Sequence, residues 1–153
     1  VRYLKELIIP NIEAGAARAG RSRTDVALTC ANFVVTGRNA EEMAQSTLMT
    51  KTQIAFYAST PSYASVMTLH GWDDVANRLN VMSRQGKWDE MWREINDEML
   101  HEIAVVAPPD ELPYKLKERY DGLLDRVGYC FPFKPEEEEK NILWKSAAKV
   151  FGA

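Results

Sequence analysis

Charged amphipathic stretches alternate along this chain with short apolar runs. RYLKELIIPNIEAGAARAG sets Leu4, Leu7, Ile8, Ile12 and Ala16 at helical spacing, with Gly20 where a glycine ends a helix. Pro10 lacks the amide that a helix interior needs, so it should bend this helix or confine the earlier residues to a separate turn. After RSRTD, residues 26–35 read VALTCANFVV, apolar without clean alternation and β-branched at both ends. That pattern predicts a strand buried on both faces, as in a parallel sheet covered by helices. The loop Thr36-Gly37-Arg38-Asn39 leads into a predicted helix over 40–58.

Residues 71–86 predict a short helix ended near Gly86. In 87–107 the residues Trp88, Met91, Trp92, Ile95, Met99 and Ile103 fall on one stripe, the mark of an amphipathic helix facing a core. A further helix is predicted over 107–124, with Pro109 and Asp110 in its first turn and Leu112, Leu116, Leu123 and Leu124 as apolar anchors, weakened near its end by Gly122. DRVGYCFPF, residues 125–133, predicts a second strand. The helix predicted over 135–151 opens on Glu136 to Glu139, where the helix dipole favours negative charge.

Two strands about ninety residues apart cannot close a sheet by themselves. Each buried unpaired amide costs on the order of 1–3 kcal/mol. Either IAVVA, residues 103–107, supplies a third strand, or the rest of the sheet lies outside this chain. No repeat, low-complexity tract or linker divides residues 1–153, so one domain is expected.

Composition narrows the function classes. The net charge is −3 with acidic and basic residues interspersed, which offers a phosphate backbone no basic stripe and argues against nucleic acid. No apolar run approaches the roughly 20 residues that span a bilayer, so no membrane partner is expected and the cytoplasm is the default compartment. Cys30 and Cys130 lie far apart in apolar runs and read as free buried thiols. With His70 and His101 they show none of the short ligand spacings of zinc sites, so no metal is expected.

The stretch QIAFYASTPSYASVMTLHGW, residues 53–72, contains no Asp, Glu, Lys or Arg in a chain that is 27% charged. Tyr57, Tyr63, His70 and Trp72 are its polar-tipped members, each able to pack a ring and offer a hydrogen bond. His70 is the candidate acid or base, with anchoring of the turn before Gly71 as its structural alternative. His101, one turn after Asp97, suits a surface pair. Arg38, just after a strand, could reach an anionic substrate or a cofactor tail, or simply face solvent.

The sequence resembles the C-terminal half of a luciferase-like flavin or deazaflavin oxidoreductase, and more narrowly the coenzyme F420-dependent branch. The pieces that carry the resemblance are IAFYASTPSY with LHGW, and AVVAPPDEL with RYDGLLDRV. It implies an α/β fold, the C-terminal portion of a (β/α)8 TIM barrel, helix-rich with few parallel strands. In that frame 26–35 is the penultimate strand, 125–133 the last, and about 53–86 an insertion. A chain that opens on Val1 fits an expected truncation or internal starting point.

Ligands of such barrels lie at the C-terminal ends of strands. The resemblance therefore implies that Tyr57, Tyr63, His70 and Trp72 wall a substrate pocket, and that Tyr129, Cys130 and Phe131 stand near the cofactor. The implied activity is hydride transfer between coenzyme F420 and a small organic substrate. Alternatives are an FMN-dependent monooxygenase of the same superfamily, or a non-catalytic split-barrel partner subunit. Implied partners are the substrate and either a second copy or the missing barrel half. Ala107-Pro108 stands where the family commonly has a small polar residue and glycine, and the strands that carry most ring contacts in the family lie upstream of these residues.

Overall fold

The computed structural model describes residues 1–152. A π-helical turn, Leu4–Ile8, runs directly into α1, Ile9–Arg18. The wider turn sits just ahead of Pro10, whose ring would otherwise press on the carbonyl four residues back. Gly20 adopts φ +68° beyond the end of α1, and the Arg21 amide reaches back to the Ala16 carbonyl at 2.9 Å, closing the helix.

Three parallel strands follow: β1, Thr29–Val35; β2, Ala104–Val106; and β3, Arg126–Cys130, in the order β2-β1-β3. The two predicted strands are thus direct neighbours, with Thr29 opposite Arg126 and Phe33 opposite Cys130. IAVVA does supply the third strand, pairing Phe33, Val34 and Val35 with Ala104, Val105 and Val106. The strand over 26–35 begins only at Thr29, because Arg23–Asp25 forms a 3-10 turn closed by a reciprocal Ser22–Asp25 capping box. At the other end, 125–133 is strand only to Cys130.

Connecting β1 to β2 are α2, Ala40–Ala58; α3, Ala64–Leu69; α4, Asp73–Arg84; and α5, Asp97–Ile103. The single helix expected within 87–107 is two helical pieces and the strand β2. Trp88–Glu94 is 3-10, Ile95 is extended, and Asn96 caps α5 by accepting the Met99 amide at 2.8 Å. The helix α6, Leu112–Tyr120, is shorter than 107–124 at both ends, since Gly122 takes φ +72° two residues beyond it. The last helix is α7, Glu137–Phe151.

Helices cover both faces of the sheet. Val35 packs into one core with Ile54, Ala55, Leu79, Met91, Ile95 and Met99, whereas Val34 packs into another with Val105, Leu112, Leu116, Tyr120 and Leu143. Consecutive strand residues point to opposite faces, so α2 to α5 cover one side and α6 with α7 the other. A closed barrel would leave one face of each strand inward. With three strands there is no barrel interior, and a strand apolar on both faces needs cover on both.

Candidate functional site

Phe33 and Cys130, paired across β1 and β3, face the α2–α5 side of the sheet together with Ala31. Ile54, Tyr57 and Ala58 of α2, Tyr63, Val66 and Met67 of the following turn and α3, and Ile103 of α5 complete an apolar cavity of about 340 Å³. Ligand pockets commonly fall between about 300 and 1,000 Å³ and are mostly apolar with a few polar groups. No charged side chain lines this one. The lining residues with polar side-chain groups are Tyr57, Tyr63 and Cys130.

The uncharged stretch makes this wall by dividing its residues. Ile54, Ala55, Ala58 and Met67 are buried in the core, while Tyr63 keeps 42% of its surface exposed. Pro61 starts a one-turn 3-10 helix, Pro61–Tyr63, that breaks α2 from α3 and turns Tyr63 back over the cavity. The Tyr57 and Tyr63 rings lie 5.0 Å apart, and Tyr57 also contacts Phe33 at 6.0 Å between centroids. These are attractive aromatic separations that fix ring orientation at the rim.

Of the residues singled out in the sequence, Tyr57, Tyr63 and Cys130 meet at this cavity; His70, Trp72, Tyr129 and Phe131 do not line it. His70 stacks on Trp72, with centroids 4.5 Å apart and planes 18° apart. Its Nδ1 is 2.8 Å from the Val66 carbonyl and its Nε2 3.4 Å from Glu102. Trp72 packs against the first core. The pair thereby ties the end of α3 to α5 beside the pocket.

Tyr129 and Phe131 project to the opposite side, against the second core, as strand alternation requires once Cys130 faces the cavity. Burial raises the Tyr129 hydroxyl above its ordinary pKa. Cys30 also lies on that opposite face, with burial pushing its thiol up; the two cysteines are free. Phe33, Val66 and Ile103 are lining residues that the sequence did not single out. Phe33 carried the usable signal, the one aromatic ring in β1.

Arg38 is engaged by three carboxylates. It bonds both oxygens of Glu42 and reaches Glu136 and Glu138 across the end of the sheet, so an anionic substrate would have to compete with them. His101 bonds the Asp97 carbonyl through Nδ1 at 2.7 Å on the surface. Among the described residues no group of His, Cys, Asp and Glu side chains is placed to hold a metal ion, and no helix is long and apolar enough to cross a membrane.

Comparison with known proteins adds the family. Residues 2–126 match the model of the luciferase-like monooxygenases. The uncharacterized proteins Mb1395 of Mycobacterium bovis and Rv1360 of Mycobacterium tuberculosis are each 42% identical over 126 residues. That match takes in 82% of this chain and 37% of theirs, so the chain spans little more than a third of the length of those relatives. On a match that covers most of its residues, the chain belongs to the luciferase-like monooxygenase family.

Proposed function

We propose that this chain is part of a flavin- or deazaflavin-dependent oxidoreductase, and that the apolar cavity holds a small organic substrate against the cofactor. The observation that carries this reading is the cavity beside Phe33 and Cys130, rimmed by the Tyr57–Tyr63 pair and free of charge. An uncharged lining favours an apolar reactant and keeps water away from the reacting atoms. The hydroxyls of Tyr57 and Tyr63 can orient a carbonyl or hydroxyl of that reactant by hydrogen bonding.

The same lining suits the ring side of a cofactor but offers nothing to a phosphate or acidic tail. Those parts need residues other than the ones lining this cavity. Coenzyme F420, when bound, supplies the hydride acceptor or donor, and the protein's contribution is to position and to exclude water. The family description favours a second reading in which reduced FMN serves monooxygenation.

The reading includes a barrel. We take β1 and β3 as its penultimate and last strands, supported by their direct parallel pairing over five residue pairs. β2 then occupies the edge of β1 that an upstream strand would take. Closure would also move one of the two helical layers, because one sheet face turns inward. The remaining strands would come from the rest of a full-length protein or from a partner chain, with self-association as a further possibility of assembly. Fluorescence titration of the full-length protein with FMN and with coenzyme F420 tests the reading: saturable one-to-one binding of one of them is expected, and binding of neither overturns it.

A further inference from the structure

The middle residue of β3 is a glycine that nothing among the described residues requires. Gly128 pairs with Ala31 in an unbroken parallel register that runs from Thr29–Arg126 to Phe33–Cys130, so it marks no bulge. Its φ is not positive. A Cβ built on it would come no closer than 3.9 Å to the Ala31 Cα and the Cys30 carbonyl oxygen, an ordinary contact, so no neighbour excludes a side chain either. Glycine weakens a strand interior, and where no bulge or bend accounts for it, it is the mark of a place where something approaches the backbone closely.

Strand alternation turns position 128 to the same side as Cys130, and its partner Ala31 lines the apolar cavity. Ala31 and Gly128 are both exposed, whereas Phe33 and Cys130, the lining pair two residues further along, are partly buried. The cavity therefore opens along the sheet onto a floor that carries a single methyl group. Such a floor is flat and receives a flat molecule face-on, while a puckered one of the same size would stand off the backbone.

The walls select the same class. The Tyr57 ring lies 6.0 Å from Phe33 and 5.0 Å from Tyr63, tilted by 43° and 56°, an array of edges and faces that a further ring can join. Met67 adds a thioether, whose sulfur favours an aromatic neighbour. Each good aromatic pair adds a factor of about two to twelve in affinity beyond the area it buries. Charge is disfavoured. Arg126 comes two residues before Gly128 on the same face, but it is exposed and outside the lining, so a carboxylate held in the cavity would have no buried cation to pair with.

We propose that the substrate of this cavity is a flat, uncharged aromatic compound seated face-down on Ala31 and Gly128, and that Gly128 sets this preference. The inference rests on the reading of the cavity as the substrate site and adds the substrate's class: an aromatic ring system carrying a hydroxyl or carbonyl group that the Tyr57 or Tyr63 hydroxyl can bond.

The test is a calorimetric titration of the full-length protein at neutral pH with 2-naphthol, with decahydro-2-naphthol as the puckered control of the same skeleton and 2-naphthoate as the anionic one. 2-Naphthol should bind, and each control should bind at least about fivefold more weakly. Gly128→Val raises a branched side chain from the floor and should weaken 2-naphthol by roughly tenfold or more, while the melting temperature holds because valine suits a strand. Gly128→Ala, whose methyl meets its neighbours at ordinary contact distance, should show a smaller loss in the same direction. A repeat at saturation with whichever of FMN and coenzyme F420 binds separates this inference from the reading beneath it. Retained 2-naphthol binding is expected; displacement would give the floor to the cofactor and overturn the inference while the oxidoreductase reading stands. If neither cofactor binds, that reading falls, and the ring preference is judged by the first titration alone. No 2-naphthol binding with or without cofactor, either control binding as tightly, or unchanged affinity in folded Gly128→Val would overturn the proposal. The wild-type selectivity needs no variant.

Discussion

Phe33 and Cys130 stand opposite each other on the adjacent parallel strands β1 and β3, and both line the cavity that Tyr57 and Tyr63 rim. This pairing places the candidate site on the α2–α5 face of the sheet and gives each neighbouring residue a distinct role. Residues that share the uncharged stretch but not the cavity should behave as structure.

Trp72 is the first such case. It packs against the core and stacks on His70 outside the cavity. Trp72→Ala should cost about 2–4 kcal/mol of stability through the void it leaves. The folded fraction should keep its kinetic constants. Thermal melts and turnover measured on one preparation check both halves, and a normal melting temperature with impaired turnover would place Trp72 in the site after all.

Gly37 tests the junction of β1 with α2. A Cβ built there would lie 2.5 Å from the Met43 amide nitrogen and 2.7 Å from the Glu42 carbonyl carbon, both backbone atoms that cannot swing aside. Gly37→Ala should therefore destabilise by about 1–3 kcal/mol, the usual range for overpacking. Chemical denaturation gives the number; a neutral result would mean that the start of α2 stands farther from β1 than described.

Asp125 supplies a pH dependence. Its carboxylate accepts the Leu28 amide at 2.7 Å and meets Arg23 at 3.3 Å, tying the entry to β1 to the start of β3. The Leu28 hydrogen bond, with Arg23 in support, holds its pKa below the ordinary carboxylate value. A lowered folded-state pKa means that the stabilisation is complete above the unfolded value of about 3.9 and is lost as pH falls through the folded value. Asp125→Asn should melt below wild type at neutral pH, and the two should converge in strong acid. A gap that persists there would assign the effect to something other than this charge.

These relationships show how far the sequence reaches. The central strand was legible because its apolar run has no polar face, and β3 likewise, but β2 is three residues long and stood only as one of two ways to pair β1. The break at Ile95–Asn96 was hidden because the apolar stripe from Trp88 to Ile103 continues across it: a 3-10 turn and an α-helix place Met91, Ile95 and Met99 on nearly the same side. At the site, Tyr57 and Tyr63 were visible as polar-tipped rings in an uncharged stretch. Tyr129, Cys130 and Phe131 were visible only as a group. Strand alternation demands that Cys130 face away from its two neighbours, yet which side carries the cavity depends on where α2 packs, and that is a tertiary fact.

The central claim, that the Tyr57–Tyr63 cavity is where substrate meets cofactor, is tested most directly at Tyr63. Tyr63 is 42% exposed and its main packing partner is the Tyr57 ring, so truncation should cost only about 1 kcal/mol of stability. In the full-length protein, with a substrate found by screening for cofactor oxidation or reduction, kcat/KM and the cofactor Kd should be measured together for wild type and Tyr63→Ala. The account predicts a fall in kcat/KM of roughly tenfold to a hundredfold from lost positioning, with the cofactor Kd nearly unchanged. Unchanged kcat/KM in Tyr63→Ala would contradict it.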